Sequence, residues 1–170
     1  SPFRPRRWRG ALLPRAAGAV RAVDGLALSA VCDTSPARRD AAAAAAPGIA
    51  TLADADALIA RDFVDLVVVS TPPSTHADWA LRAIRAGKHV VVEKPIDVNL
   101  RAIDQLIAEA KKANVKLGAV FQSRYSPLNR RIKEIIDSGR LGKLYGIHAD
   151  LHWWREQSYY GDEKHGLWKG

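Results

Sequence analysis

The amino-acid sequence predicts a doubly wound α/β fold, and two observations carry that expectation. Between Leu26 and Phe121, short apolar and β-branched runs alternate with helical segments of about a dozen residues, the pattern of right-handed βαβ units on a parallel sheet. Each run also ends in polar or turn-forming residues, which gathers chemistry-bearing groups along one edge of that sheet. With 170 residues, 48% hydrophobic and 26% charged, the chain can bury one ordinary core and is too apolar to stay disordered.

The elements follow in order. Leu26 to Cys32, after the turn pair Asp24-Gly25, reads as a buried strand. Pro36 to Ala46 is alanine-rich and helical, and Pro47-Gly48 closes it. Asp54 to Ala60 gives a short helix with Leu58 and Ile59 inward. Val64 to Ser70 is a β-branched strand bounded by Pro72-Pro73. Ala77, Ala80, Leu81 and Ile84 recur at helical spacing, and Gly87 ends that helix. Lys88 to Val92 is the third strand. Asn99 caps a helix with the inward stripe Leu100, Ile103, Leu106, Ile107 and Ala110, and Val115 to Phe121 is the fourth strand.

Beyond Phe121 the pattern changes. Ser126-Pro127 starts a helix that runs to about Ser138 and stops at Gly139. From Lys143 to Trp154 the residues alternate, with Tyr145, Ile147, Ala149, Leu151 and Trp153 on one side and Gly146, His148, Asp150 and His152 on the other. That alternation predicts a long strand of an antiparallel sheet with one wet face, a strand that needs partners and invites self-association without them. His148, Asp150 and His152 share the wet face, but a metal would need converging side chains and a fourth ligand, so a polar sheet face is expected there.

Charge and cysteine content narrow the function classes. The chain carries 26 Lys and Arg against 18 Asp and Glu, but the excess is local. Before Asp24 there is no acid, and Arg4, Arg6, Arg7, Arg9, Arg15 and Arg21 are the charges; the rest is nearly balanced. Nucleic-acid binding through Arg4, Arg6, Arg7, Trp8 and Arg9 is not expected, because only one aromatic interleaves the basic run and the body is nearly charge-balanced. Apolar runs are far too short for a membrane span. The lone Cys32 excludes an internal disulfide framework and fits a reducing cytoplasm.

Four strand ends carry candidate groups. Asp33 closes the first strand, where a carboxylate would accept hydrogen bonds from the hydroxyls of an adenosine ribose; it also suits a turn or cap before Thr34-Ser35-Pro36. Arg38 and Arg39 could soften the repulsion of a 2′-phosphate, so NAD is expected over NADP without excluding the latter. Ser70 to His76 closes the second strand, Glu93-Lys94-Pro95 the third and Gln122-Ser123-Arg124 the fourth. Lys94 fits either an acid–base group beside a partly desolvated pocket or a solvated lysine paired with Glu93. Pro95 can fix the turn that aims it, in a cis or a trans form.

Taken together, Ala30-Val31-Cys32-Asp33, VVVSTPPSTHA from Val67, GKHVVVEKP from Gly87, FQSRYSP from Phe121 and SGRLGK from Ser138 resemble the glucose–fructose oxidoreductase, inositol dehydrogenase and MocA family of NAD(P)-dependent oxidoreductases. The resemblance covers about Ala19 to Gly170. It implies a dinucleotide-binding domain (19–122) followed by an α/β domain (123–170) that serves substrate binding and homo-oligomerisation. It implies hydride exchange between a nicotinamide and a secondary alcohol or ketone of a sugar-like substrate. Lys94 matches the family's lysine that binds substrate and assists proton transfer, and Asp33 its ribose-binding acid. Ser70, Thr71, Pro72, Pro73, His76, Glu93 and Gln122 match cofactor-lining positions, with Arg124 toward the substrate.

The stretch from Trp154 to Tyr160 resembles dehydrogenases of nucleotide-linked N-acetylamino-uronic sugars. There Arg155 would pair with a carboxylate or phosphate, or else belong to an aromatic strand end at an interface.

The resemblance weakens at the two ends. The family opens with a strand and a glycine-rich turn, whereas Phe3 to Arg9 has no strand pattern and Gly10 to Gly18 holds two glycines eight residues apart. Residues 1–18 are therefore expected to be a basic segment foreign to the family pattern, and the far end to stop short of the family's remaining catalytic groups. A non-catalytic dinucleotide-binding or interaction module is the alternative role.

Overall fold

The computed structural model describes residues 8–11, 20 and 22–157. It divides into two compact units, one up to Tyr125 and one from Ser126.

The first unit is built on six strands: β1 (Trp8–Ala11), β2 (Leu26–Cys32), β3 (Ala50–Leu52), β4 (Leu66–Val69), β5 (His89–Val92) and β6 (Leu117–Ala119). Their order across the sheet is β3-β2-β1-β4-β5-β6, and every neighbouring pair is parallel. The chain winds outward from β1 to β3, crosses back, and winds outward again from β4 to β6. The doubly wound parallel architecture expected from the sequence is what forms.

Two strands depart from the sequence reading. Phe3 to Arg9 was expected to hold no strand, yet Trp8–Ala11 is the strand that joins the two halves, with Gly10 opposite Leu66 and Ala11 opposite Val67 on one side. Its composition is poor for a strand, but β2 and β4 each present a row of backbone donors and acceptors that only an intervening strand satisfies. The second is β3, three residues long and too short to show any periodicity.

Five helices were legible, each within a residue or two of its expected bounds: α1 (Pro36–Ala45), α2 (Ala55–Ile59), α3 (His76–Arg85), α4 (Leu100–Lys112) and α5 (Pro127–Asp137). Asn99 caps α4 by accepting from the Arg101 amide at 2.9 Å, and Asp54 caps α2 from the Asp56 amide at 3.0 Å. Helices α3 and α4 turn Ala80, Ala83, Ile84, Leu106 and Ala110 onto Val67, Val69, Val90 and Val92 of the sheet. These side chains are almost fully buried, and they fix the carboxyl ends of β4 and β5 at one level.

Both helices end in the same way. Gly87 has φ +75°; its amide bonds the Ile84 carbonyl, and the Lys88 amide reaches back to Ala83. Asn114 repeats the pattern at φ +54°, with the Val115 amide on Ala110.

In the second unit α5 begins at Ser126-Pro127 and is followed by Gly139 at φ +70°, as the sequence predicts. The long strand expected from Lys143 to Trp154 does not form: residues 144–156 take neither helix nor strand. The alternation is present, but no neighbouring strand among the described residues completes the backbone pairing on which a strand depends. Tyr145, Ile147, Leu151, Trp153 and Trp154 are exposed. Among the described residues no helix is long and apolar enough to cross a membrane.

Two predictions follow from this packing. Gly87→Ala places a Cβ in the left-handed region and should lower unfolding free energy by about 1–2 kcal/mol, read from urea denaturation, with an unchanged native spectrum. His89 at the start of β5 accepts the Lys116 amide on Nδ1 at 2.8 Å, which requires that nitrogen to be unprotonated. Burial pushes its pKa below the ordinary 6.5; Asp65 opposes that and Lys116 adds to it. A depressed histidine contributes stability above its unfolded pKa and loses it as pH falls. The melting temperature of a His89→Asn variant should therefore depend less steeply on pH below about 6.5 than that of the parent.

Candidate functional site

The parallel sheet sends every strand's carboxyl end to the same edge, and the direction of winding reverses between β1 and β4. A crevice opens at such a reversal because consecutive connections leave on opposite faces. A cleft of about 500 Å³ lies there. Cys32, Asp33 and Arg38 come from the β2 end, Ala53 and Asp54 from the β3 end, and Ser70, Thr71, Pro72 and Thr75 from the β4 end. Leu58, Ile59 and Trp79 add an apolar wall.

Asp33 is held firmly in that wall. Its side chain is only 5% exposed; Oδ1 accepts the Ser35 amide at 2.9 Å and Oδ2 faces Arg38 Nη1 at 3.5 Å. The two sequence readings of this residue are thus compatible, because a carboxylate has about four acceptor positions and the turn uses only part of them. The two arginines differ. Arg39 donates to the backbone carbonyls of Asp33 at 2.7 Å and Thr34 at 3.0 Å, so it braces the turn. Arg38 is 60% exposed and is the cation that faces the cleft mouth.

Ser70, Thr71 and Pro72 line the cleft, whereas Pro73 starts the short 3-10 turn Pro73–Thr75. Thr75 Oγ1 bonds Thr71 Oγ1 and the Pro72 carbonyl, both at 2.8 Å, closing that loop on itself. Glu93 follows β5, half-buried, and its carboxylate accepts the backbone amide of Lys94 at 3.1 Å. The Lys94 side chain is exposed, and the Lys94–Pro95 bond is cis. The alternative in which Glu93 ties up the lysine ammonium is not what forms. Gln122 and Arg124 sit in the 3-10 turn Gln122–Tyr125 beyond β6, with the Arg124 guanidinium 5.7 Å from the Phe121 ring centre.

His76 is the main departure among the expected cofactor-lining residues. It is 1% exposed and lies below the surface, with Nδ1 2.7 Å from the Pro95 carbonyl and Nε2 2.7 Å from the Thr71 carbonyl. A side chain so enclosed has no polar atom left for a ligand. Arg155 belongs to the second unit, is exposed, and lies 5.2 Å from the Trp153 ring centre. In the same unit His148 and Asp150 pair with each other at 3.0 Å. The glycine-poor turn expected after β1 lies outside the described residues.

Sequence reasoning missed Ala53, Asp54 and Trp79 as cleft residues. The first two follow the three-residue β3, which gave no signal. Trp79 follows His76 by three residues, and an aromatic at that helix position could have been read as facing the strand ends.

Residues 10–121 match the family model described as an oxidoreductase family with an NAD-binding Rossmann fold. The chain belongs to the Gfo/Idh/MocA family. It is 35% identical over 129 residues to inositol 2-dehydrogenase 2 of Saccharopolyspora erythraea, covering 75% of this chain and 38% of that protein. It is likewise 35% identical over 127 residues to 1,5-anhydro-D-fructose reductase of Ensifer adhaerens, covering 74% and 38%. Among solved structures, the WlbA dehydrogenase of Bordetella pertussis, in complex with NADH and UDP-GlcNAcA, matches with a TM-score of 0.77 at 30% identity, over 85% of this chain and 43% of that one. A 3-ketoreductase of Actinomadura kijaniata bound to NADP and TDP-benzene matches with a TM-score of 0.72 at 28% identity, over 81% and 44%. The chain thus spans about two fifths of the length of these relatives.

The residues of the cleft suit a dinucleotide. A buried carboxylate with spare acceptor positions suits ribose hydroxyls, and the wall of Leu58, Ile59 and Trp79 suits a flat base.

The same wall predicts the behaviour of Cys32. Burial pushes its thiol above the ordinary 9.0, Asp54 and Asp33 push it further, and Arg39 opposes them. Cys32 should react with a thiol reagent at pH 8 well below the rate of the urea-unfolded chain, and Asp54→Asn should narrow that gap.

Proposed function

We propose that this chain forms the cofactor-binding part of an NAD(P)-dependent dehydrogenase acting on a secondary alcohol or ketone of a sugar, polyol or nucleotide-linked sugar. The observation that carries this reading is Asp33, a buried carboxylate with spare acceptor capacity in a cleft at the reversal of a doubly wound sheet. The relatives support the substrate class, since those named above act on inositol or sugars or were solved with a nucleotide-linked ligand.

In this reading Asp33 accepts from the adenosine ribose hydroxyls, while Ser70, Thr71 and Pro72 form the floor beneath the dinucleotide. The cofactor, once bound, supplies the hydride acceptor or donor. Lys94 stands free of Glu93 and binds the substrate oxygen, holding or moving the proton there. Glu93 keeps the lysine's backbone in place through the Lys94 amide. Pro73, Gln122 and Arg124 extend the rim, with Arg124 toward the substrate. Arg155 recognises a carboxylate or phosphate of a nucleotide-linked substrate, a role supported by the likeness to WlbA. Residues 19–122, together with the strand at Trp8–Ala11, form the cofactor domain, and 123–170 belong to a substrate and homo-oligomerisation domain.

Cofactor choice follows from the two charges at the β2 end. Asp33 disfavours a 2′-phosphate, and the exposed Arg38 offsets part of that penalty, so NADH should bind more tightly than NADPH without excluding it. Calorimetric titration of the 170-residue chain with each cofactor tests this. Asp33→Ala removes charge-assisted hydrogen bonds and should weaken NADH about tenfold or more, with a smaller effect on NADPH. A folded chain that binds neither cofactor overturns the proposal.

A further inference from the structure

His76 lies in the core at 1% exposure, one of two buried polar residues among those described. It opens α3, and its ring stands between two strand-end loops. Nε2 is 2.7 Å from the carbonyl oxygen of Thr71, in the loop after β4; Nδ1 is 2.7 Å from that of Pro95, in the turn after β5. Lys94 immediately precedes Pro95. Its ammonium has no hydrogen bond or ion pair among the described residues, so the backbone of this turn determines where it points.

The donor count is informative. A neutral imidazole carries one N–H, and a bare nitrogen 2.7 Å from a carbonyl oxygen would oppose two lone pairs. Both contacts are hydrogen bonds only when both nitrogens carry hydrogen. In that form two carbonyl dipoles replace the lost water, and charge-assisted bonds are the strong ones. The turn carries Glu93, Lys94 and Asp97, and α3 carries Asp78 two residues beyond the ring.

We propose that His76 is the positioning residue for Lys94: donating from both ring nitrogens at once, it clamps the Pro95 turn to the Thr71 loop and so sets where the lysine meets the bound cofactor. The inference rests on the function proposed for Lys94, but the clamp itself can be tested apart from it.

Long-range proton–nitrogen correlation spectra of the 170-residue chain at neutral pH decide the clamp. The expected result is two protonated ring nitrogens for His76; the spectrum of a single neutral tautomer overturns the proposal. Acylation of the Lys94 amine, followed by peptide mass spectrometry, reads the positioning. Bound NADH should slow labelling of Lys94 in the parent chain. In His76→Phe that protection should be lost while the calorimetric affinity for NADH stays within about twofold, a change worth under 0.5 kcal/mol. A merely structural role would lower affinity together with protection, and retained protection would refute positioning. If His76→Phe does not fold, His76→Gln, which keeps one donor group, is read in the same way. A parent chain that binds no NADH sinks the functional reading, and the nitrogen spectrum then decides the clamp alone.

Discussion

Everything in the first unit depends on β1 being held between β2 and β4. The contact with β4 is short, two residue pairs, yet it joins two half-sheets that would otherwise each expose an unpaired edge. It also fixes where the direction of winding reverses. At such a reversal a parallel sheet leaves a crevice at its carboxyl edge, and the cleft lies there, lined from the β2, β3 and β4 ends. A site at this position is therefore a consequence of strand order before it is a consequence of any side chain. Asp33, Ser70 and Thr71 acquire their common surroundings because β2 and β4 end at the same level on either side of β1.

Charge is distributed through the site with a division of labour. Arg39 and Ser35 spend their donors on the backbone and carboxylate of the Asp33 turn, which makes the turn rigid without neutralising it. Arg38 lies at 3.5 Å and mostly in solvent, where its attraction is screened. Glu93 does the equivalent for the β5 end, holding a backbone amide and leaving the neighbouring ammonium alone. In both turns a polar side chain stabilises the main chain, Arg39 through the Asp33 carbonyl and Glu93 through the Lys94 amide.

How much of this was legible follows from the range of the interactions. The strands β2, β4, β5 and β6 were readable because short apolar runs, β-branched in β4 and β5, report local preference and burial together. Helix ends were readable too, since Asn99, Gly87 and Ser126-Pro127 act within a few residues. Asp33 was found by asking what stands at a strand end. By contrast, β1 is four residues long, lies at the end of an arginine-rich segment, and owes its state to partners further along the chain. The surroundings of His76 were hidden for the same reason, because Pro95 is 19 residues away and nothing near His76 announces it. A motif can say that a histidine matters there without saying whether it faces the ligand or the core.

The second unit separates pattern from pairing most clearly. Residues 143–154 alternate as regularly as any strand in the molecule, yet none forms among them. Alternation decides which face of a strand would be apolar; it does not supply the donors and acceptors that an extended backbone needs from a neighbour. In the first unit each strand finds them, even the unpromising β1 and the three-residue β3, because the sheet is already there to receive it. In the second, Tyr145, Ile147, Leu151 and Trp153 keep their alternation and stay exposed. Burying each would be worth about 1.5–3 kcal/mol, so the side-chain incentive is present, and among the described residues no neighbouring strand supplies the backbone partners. Strand formation here is a property of the pair, and the sequence of one member encodes only half of it.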